Sequence, residues 1–182
     1  MSNKFEFVVT VDGNENRVDI PYTSMNDLVY TLPDVKENAK VFEMLANHPS
    51  METLAGLASK ENLSNDIFQK LILSGGHKTK VALLGNKKFR KEIKLELLKK
   101  WVIRDTELAL TVAYYANEFE QIDPKEISEL LSIHPDPEVI NQLVESSTLL
   151  TKASLKKFTT YPDNKIAMEA IKKIKELDGE NN

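Results

Sequence analysis

SIHPDPEVINQLVES, residues 132–146, decides the fold. After the His-Pro step, Val139, Ile140, Leu143 and Val144 recur three and four apart, the spacing of one buried helix face. The phrase returns as ANHPSMETLAGLASK at residues 46–60, and a third time as TTYPDNKIAMEAIKK at residues 159–173. With the proline as ruler, offsets of five, eight and nine fall on Leu54, Leu57 and Ala58 after Pro49. They fall on Ile140, Leu143 and Val144 after Pro135, and on Ala167, Ala170 and Ile171 after Pro162. Val139 and Ile166 add a position four after the proline in the last two copies.

Two further copies lack the proline. Gly76 anchors Val81 and Leu84, and Arg104 anchors Leu108, Ala109, Val112 and Ala113. Anchors 49, 76, 104, 135 and 162 are then 27, 28, 31 and 27 residues apart, the near-constant period of a repeat array. Each anchor is preceded by another helical pattern: Val41, Met44 and Leu45; Phe68, Leu71 and Ile72; Ile127, Leu130 and Leu131. Each unit therefore reads as helix, tight turn, helix. The prolines are expected near the start of the second helix, where a missing amide costs nothing. Ser50, Asp136 and Asp163 follow them as first-turn residues that accept orphan amides.

ANHPSMETLAGLA, SIHPDPEVINQLV and TYPDNKIAMEAIKK resemble units of HEAT-like α-solenoids, including the leucine-rich repeat variant type. The resemblance implies a curved binding scaffold, commonly for proteins and in some members for nucleic acid, with no fixed catalytic residues. It sets the expected fold class as mainly α: about five helical hairpins over residues 34–177. KKFRKEIKLELLKKWVIRDTELALTVAYYANEF, residues 87–119, departs most from the pattern and is expected to form longer helices.

Ahead of the helices, KFEFVVTV and RVDIPY alternate as strands around the turn DGNEN, the first with Phe5, Phe7, Val9 and Val11 on one of its faces and the second with Val18, Ile20 and Tyr22 on one of its own. A lone two-stranded ribbon buries little. The hairpin and linker, residues 1–33, are expected to cap the first repeat, with an exposed strand edge for a partner as the sharper alternative. KKIKELDGENN turns polar, and residues 178–182 are expected to be a flexible tail.

The chain has 182 residues, 41% hydrophobic and 29% charged, with a net charge of -4 and no cysteine. Disulfides, thiolate metal sites and cysteine nucleophiles are thereby excluded. The start shows no signal-peptide pattern and no stretch is long and apolar enough to span a bilayer, so a cytoplasmic location without a membrane partner is expected. His48, His77 and His134 fall at or beside corners of different repeats, which suits turn packing better than a shared metal. SGGHKTK, residues 74–80, lacks the spacing of a phosphate-binding loop. No catalytic, cofactor or metal residues are assigned, and no enzyme is expected.

Charge is the feature that rises above scaffold. Residues 77–104 hold Lys78, Lys80, Lys87, Lys88, Arg90, Lys91, Lys94, Lys99, Lys100 and Arg104 against Glu92 and Glu96. Residues 105–145 reverse the balance, with ten acidic residues against Lys125 alone. Opposite fields of this kind orient a protein partner, which is the favoured reading. The basic segment alone would suit a nucleic-acid backbone, the alternative, and basic against acidic would suit self-association. Trp101, Tyr114 and Tyr115 join the basic residues as partner-contact candidates, since aromatic side chains anchor interfaces.

Overall fold

A computed structural model describes residues 5–21, 24–146 and 150–179. Two antiparallel strands precede twelve α-helices among the described residues, and the chain divides into two compact units between Asn86 and Lys87.

The first unit opens with β1, Phe5–Val11, and β2, Asn14–Ile20. Their turn is only Asp12-Gly13, both with positive φ (51° and 82°), the two-residue turn whose twist matches a hairpin. Asn14, Glu15 and Asn16, expected in the turn, therefore belong to β2. Register pairs Phe5 with Ile20 and Phe7 with Val18, so the apolar residues of both strands share one face. On that face Val9 and Val11, expected to help cap the first repeat, and Val18 are each about half exposed. The side chains of Phe5 and Phe7, and all of Tyr22, lie outside the described residues.

Helices α1 (Met25–Thr31), α2 (Ala39–Leu45), α3 (Met51–Ala58), α4 (Asn65–Ser74) and α5 (His77–Gly85) complete this unit. The second contains α6 (Lys87–Glu92), α7 (Leu95–Val102), α8 (Thr106–Tyr114), α9 (Pro124–Ser132), α10 (Pro137–Ser146), α11 (Lys152–Phe158) and α12 (Asn164–Leu177). Five helix pairs, α2/α3, α4/α5, α7/α8, α9/α10 and α11/α12, match the expected hairpins, with α1 and α6 additional.

Within the first unit α1 packs on α3 and α3 on α5; within the second α8 packs on α10 and α10 on α12. The second helix of each pair thus touches the second helix of the next pair in the same unit. Buried Leu54, Leu57 and Ala58 of α3, and Val139, Ile140, Leu143 and Val144 of α10, form these faces as the offsets required.

A common corner starts the second helices. Ser24, Ser50, Gly76, Asp105 and Asp163 are the N-caps of α1, α3, α5, α8 and α12, and Asp136 accepts the Glu138 amide at the head of α10. Successive caps are 26 to 31 residues apart. Pro49, Pro135 and Pro162 stand one residue before the cap, outside the first turn where they were expected. There a proline stops the preceding helix from continuing and presets the extended entry. The prolines at a first helical position are Pro124 and Pro137. Gly76 is itself a cap, so the offsets slip by one: Val81 is half-buried, while Leu83 and Leu84 are buried.

Polar bonds tie equivalent points of adjoining pairs. Asn26 Oδ1 accepts the hydroxyls of Ser50 and Thr53, each at 2.7 Å, at the heads of α1 and α3. Thr106 donates to the Asp136 carboxylate at 3.1 Å at the heads of α8 and α10. At the helix ends Lys60 Nζ donates to the Leu32 carbonyl at 2.8 Å, and Asn86 Nδ2 to the carbonyls of Ala58 and Lys60 at 2.9 and 2.7 Å. These bonds satisfy carbonyls that a terminating helix leaves over.

The stretch expected to form longer helices is broken instead at Ile93–Lys94, where Lys94 is extended. Apolar spacing slips from four to five between Ile93 and Leu98, which one continuous helix cannot keep on a single face. The break buries both Phe89 with Ile93 and Leu98 with Trp101 and Val102. At the far end Gly179, φ +70°, terminates α12, and the Asp178 carboxylate accepts from Lys152 Nζ at 2.6 Å. Residues 180–182 lie outside the described residues. Among the described residues no helix is long and apolar enough to cross a membrane.

Candidate functional site

Of the basic candidates, Arg90 is enclosed. Its side chain is 4% exposed, donates to Glu118 Oε2 at 2.6 Å, and lies 3.8 Å from the centre of the Tyr115 ring. Phe89 and Arg90 occupy the inner face of α6, so the guanidinium bridges that helix to the chain after α8. Trp101 is also inside, 8% exposed and stacked on Phe89 with centroids 6.0 Å apart. Both residues serve the core of the second unit and offer a partner almost no surface. Their buried positions count against both as the partner-contact candidates the sequence suggested.

Two more basic residues meet acids within their own units. Lys78 Nζ lies 2.5 Å from Glu52, which holds the ammonium above the usual lysine range, and Lys91 lies 2.5 Å from Glu120. Arg90 and Lys91 together show the basic segment facing the acidic segment inside one unit, so part of the charge contrast is spent on internal pairs. Lys99 pairs with Glu96 one turn back at 3.3 Å. Lys87, Lys94, Lys99, Lys100 and Arg104 are exposed; Lys80 and Lys88 are half-buried. Tyr114 is exposed and Tyr115 half-buried, the two rings meeting edge to face at 4.8 Å.

The histidines split as their corners do. His48 Nδ1 accepts the Ser50 amide and His134 Nδ1 the Asp136 amide, each at 3.1 Å. Both imidazoles are buried, and burial lowers the His48 pKa below the ordinary histidine value. An Nδ1 that accepts an N–H carries no proton, so both rings work as neutral corner braces. His77 is exposed at the first position of α5. Among the described residues no three His, Asp or Glu side chains converge to hold a metal ion.

Surface the charge reading overlooked lies at the same corners. Leu73, three residues before the Gly76 cap, is 85% exposed, and Ile133, three before Asp136, is 76% exposed. Asn47 and Thr160 fill that position before Ser50 and Asp163, while Val102, three before Asp105, is buried. In the first unit Leu73 and the half-exposed Met51 line an open groove of about 400 Å³ together with buried Ala46 and Leu54 and exposed Pro49 and Lys70. The signal was present in LIL, residues 71–73: three adjacent apolar residues on a helix cannot all face inward.

A second groove, about 440 Å³, runs between α9 and α11 and carries Ser128, Ser132, Thr151 and Ser154 with Lys125 and Lys157. Its polar groups are largely turned on one another: Ser132 donates to the Glu129 carbonyl, Lys125 faces Glu129, and Thr151 caps α11 beside Ser154. The chain has no significant match among protein-family models, curated proteins or solved structures.

Proposed function

We propose that this chain is a non-catalytic protein-interaction scaffold whose helix pairs are arranged as a HEAT-like α-solenoid. Packing of second helix on second helix within each unit supports the arrangement, because each pair then buries its core against neighbours and leaves an outer edge for binding. The observation that carries the function is the pair of outward apolar residues, Leu73 and Ile133, at the same position of two corners. Neither contributes to its core, although Asn47 and Thr160 show that a polar residue can serve the same position, and in the first unit Leu73 adjoins the half-exposed Met51 as apolar surface open to a partner.

Burial of Arg90 and the internal pairs of Lys78 and Lys91 weaken the nucleic-acid alternative, since they take three of its ten cations. The test is affinity capture from source-cell lysate with the wild type and with a Leu73→Asp, Ile133→Asp double variant whose helicity is checked by circular dichroism. A discrete co-purifying protein lost with the double variant supports the scaffold reading. Capture of nuclease-sensitive material instead, with binding that falls steeply between low and moderate salt, overturns it.

A further inference from the structure

The corner groove of the first unit has a composition that selects its occupant. Its lining is mainly apolar, from Met51 at the head of α3 to Leu73 near the end of α4 with Ala46, Pro49 and Leu54, and Asn47 and Ser74 add neutral polar groups. A volume of about 400 Å³ is near the small end for a binding pocket and takes one large side chain with part of its backbone. Met51 Sδ accepts the Gly76 N–H at 3.2 Å, which holds the thioether in place as part of the wall.

Two ionisable side chains line this groove, Lys70 and His48. His48 is neutral there, because its Nδ1 accepts the Ser50 amide, so Lys70 supplies the charge. Lys70 is exposed on α4 one turn before Leu73, and none of the lining residues is an acid. A guest that buries an apolar side chain while placing a carboxylate near the rim satisfies both features; a basic guest meets repulsion at the same point.

We infer that this groove docks a partner protein through an apolar anchor side chain flanked by acidic residues. The inference rests on the scaffold reading and names the partner chemistry at one of its corners.

The experiment uses the full chain with 13C-labelled methionine methyls. Met51 reports on the groove, Met25, 2% exposed, on the core of the same unit, and Met168, 62% exposed on α12, on nonspecific surface binding. The probes are the capped peptides EFLE and KFLK at low salt. EFLE should shift Met51 saturably without moving Met168, and KFLK should bind about tenfold more weakly. Lys70→Glu should reverse that order, and Leu73→Asp should abolish both shifts while the Met25 signal stays in place.

Equal binding of the two peptides, an EFLE response untouched by Lys70→Glu, or no Met51 shift at millimolar peptide overturns the inference. So does a Met51 shift that follows protein concentration alone, which would make a second copy the occupant. Retained capture of a protein partner by the Lys70→Glu variant, beside a silent Met51, would remove this docking site and leave the scaffold reading standing.

Discussion

His48 Nδ1 accepts the backbone N–H of Ser50 at 3.1 Å, across the proline that separates them. The proline has no amide of its own, so the imidazole reaches over it to the next donor, the amide of the residue that caps α3. His134 and Asp136 repeat the contact in the second unit. This brace works only while Nδ1 carries no proton.

That requirement gives stability a pH dependence of defined sign. Burial lowers the folded-state pKa of His48 below the ordinary 6.5, so near that pH the unfolded chain binds more protons than the folded one. The stabilisation is fully present above 6.5 and is lost as pH falls through 6.5 toward the lower folded value. Urea midpoints of the wild type between pH 8 and pH 5 should drop over that range. His48→Asn, which keeps an acceptor and cannot titrate, should fall less; an equally steep fall would assign the effect to other groups.

Corners were the part of this fold that the sequence announced. A proline, a cap and apolar offsets are local and act through backbone geometry, so Leu54, Leu57, Ile140 and Leu143 are buried where the ruler placed them. The upstream helices were harder, because two registers differ by one residue. In α2 the buried pair is Phe42 and Leu45, while Met44 faces out; the ruler itself missed at Ile171 on α12, which is exposed. The first second-helix, α1, lacks a described helix before it and a proline signal, although Ser24 starts it in phase. Charge misled most. Arg90 among nine other cations reads as surface, and its burial rests on partners remote in sequence, Tyr115 and Glu118, 25 and 28 residues on.

Asn86 tests the end-capping bonds. It is 2% exposed and donates through one amide nitrogen to the carbonyls of Ala58 and Lys60. Asn86→Leu would keep the branched outline with added bulk and leave both carbonyls without that donor, the lost donor costing about 1–3 kcal/mol. The change should lower the urea midpoint of the full chain. Asn86→Gln should recover part of the loss only if its longer side chain can reach the same carbonyls; Asn86→Leu at wild-type stability would show that water replaces the bond.

Gly56 reports how closely α1 approaches α3. A Cβ there would meet Val29 Cγ1 well inside van der Waals contact and the Tyr30 ring at 3.0 Å. In an open helix Gly→Ala gains about 1 kcal/mol. Here Gly56→Ala should be destabilising, because Val29 is fully buried and its backbone belongs to α1. Adding Val29→Ala removes the colliding methyl, so the double variant should lose less than the two single losses combined. Additive losses would mean that α1 simply shifts away.

Glu118 and Glu120 stand two residues apart and face adjacent cations of α6, yet their removal should differ sharply. Lys91 and Glu120 are both substantially exposed at 43% and 55%, so Glu120→Ala should cost less than about 1 kcal/mol. Glu118→Ala leaves the Arg90 guanidinium, 4% exposed and unable to shed its proton, without its carboxylate. Loss of a partner from a buried pair costs about 3–5 kcal/mol; because Glu118 is itself 45% exposed, about 2–3 kcal/mol is expected. The Tyr115 ring continues to shelter the cation and keeps the penalty from the upper limit. Urea titrations of the two variants at low and high salt should separate them, with the Glu120 effect shrinking as salt rises and the Glu118 effect persisting. Equal and salt-sensitive losses would mean that Arg90 turns outward into solvent, and would return it to the set of cations open to a partner.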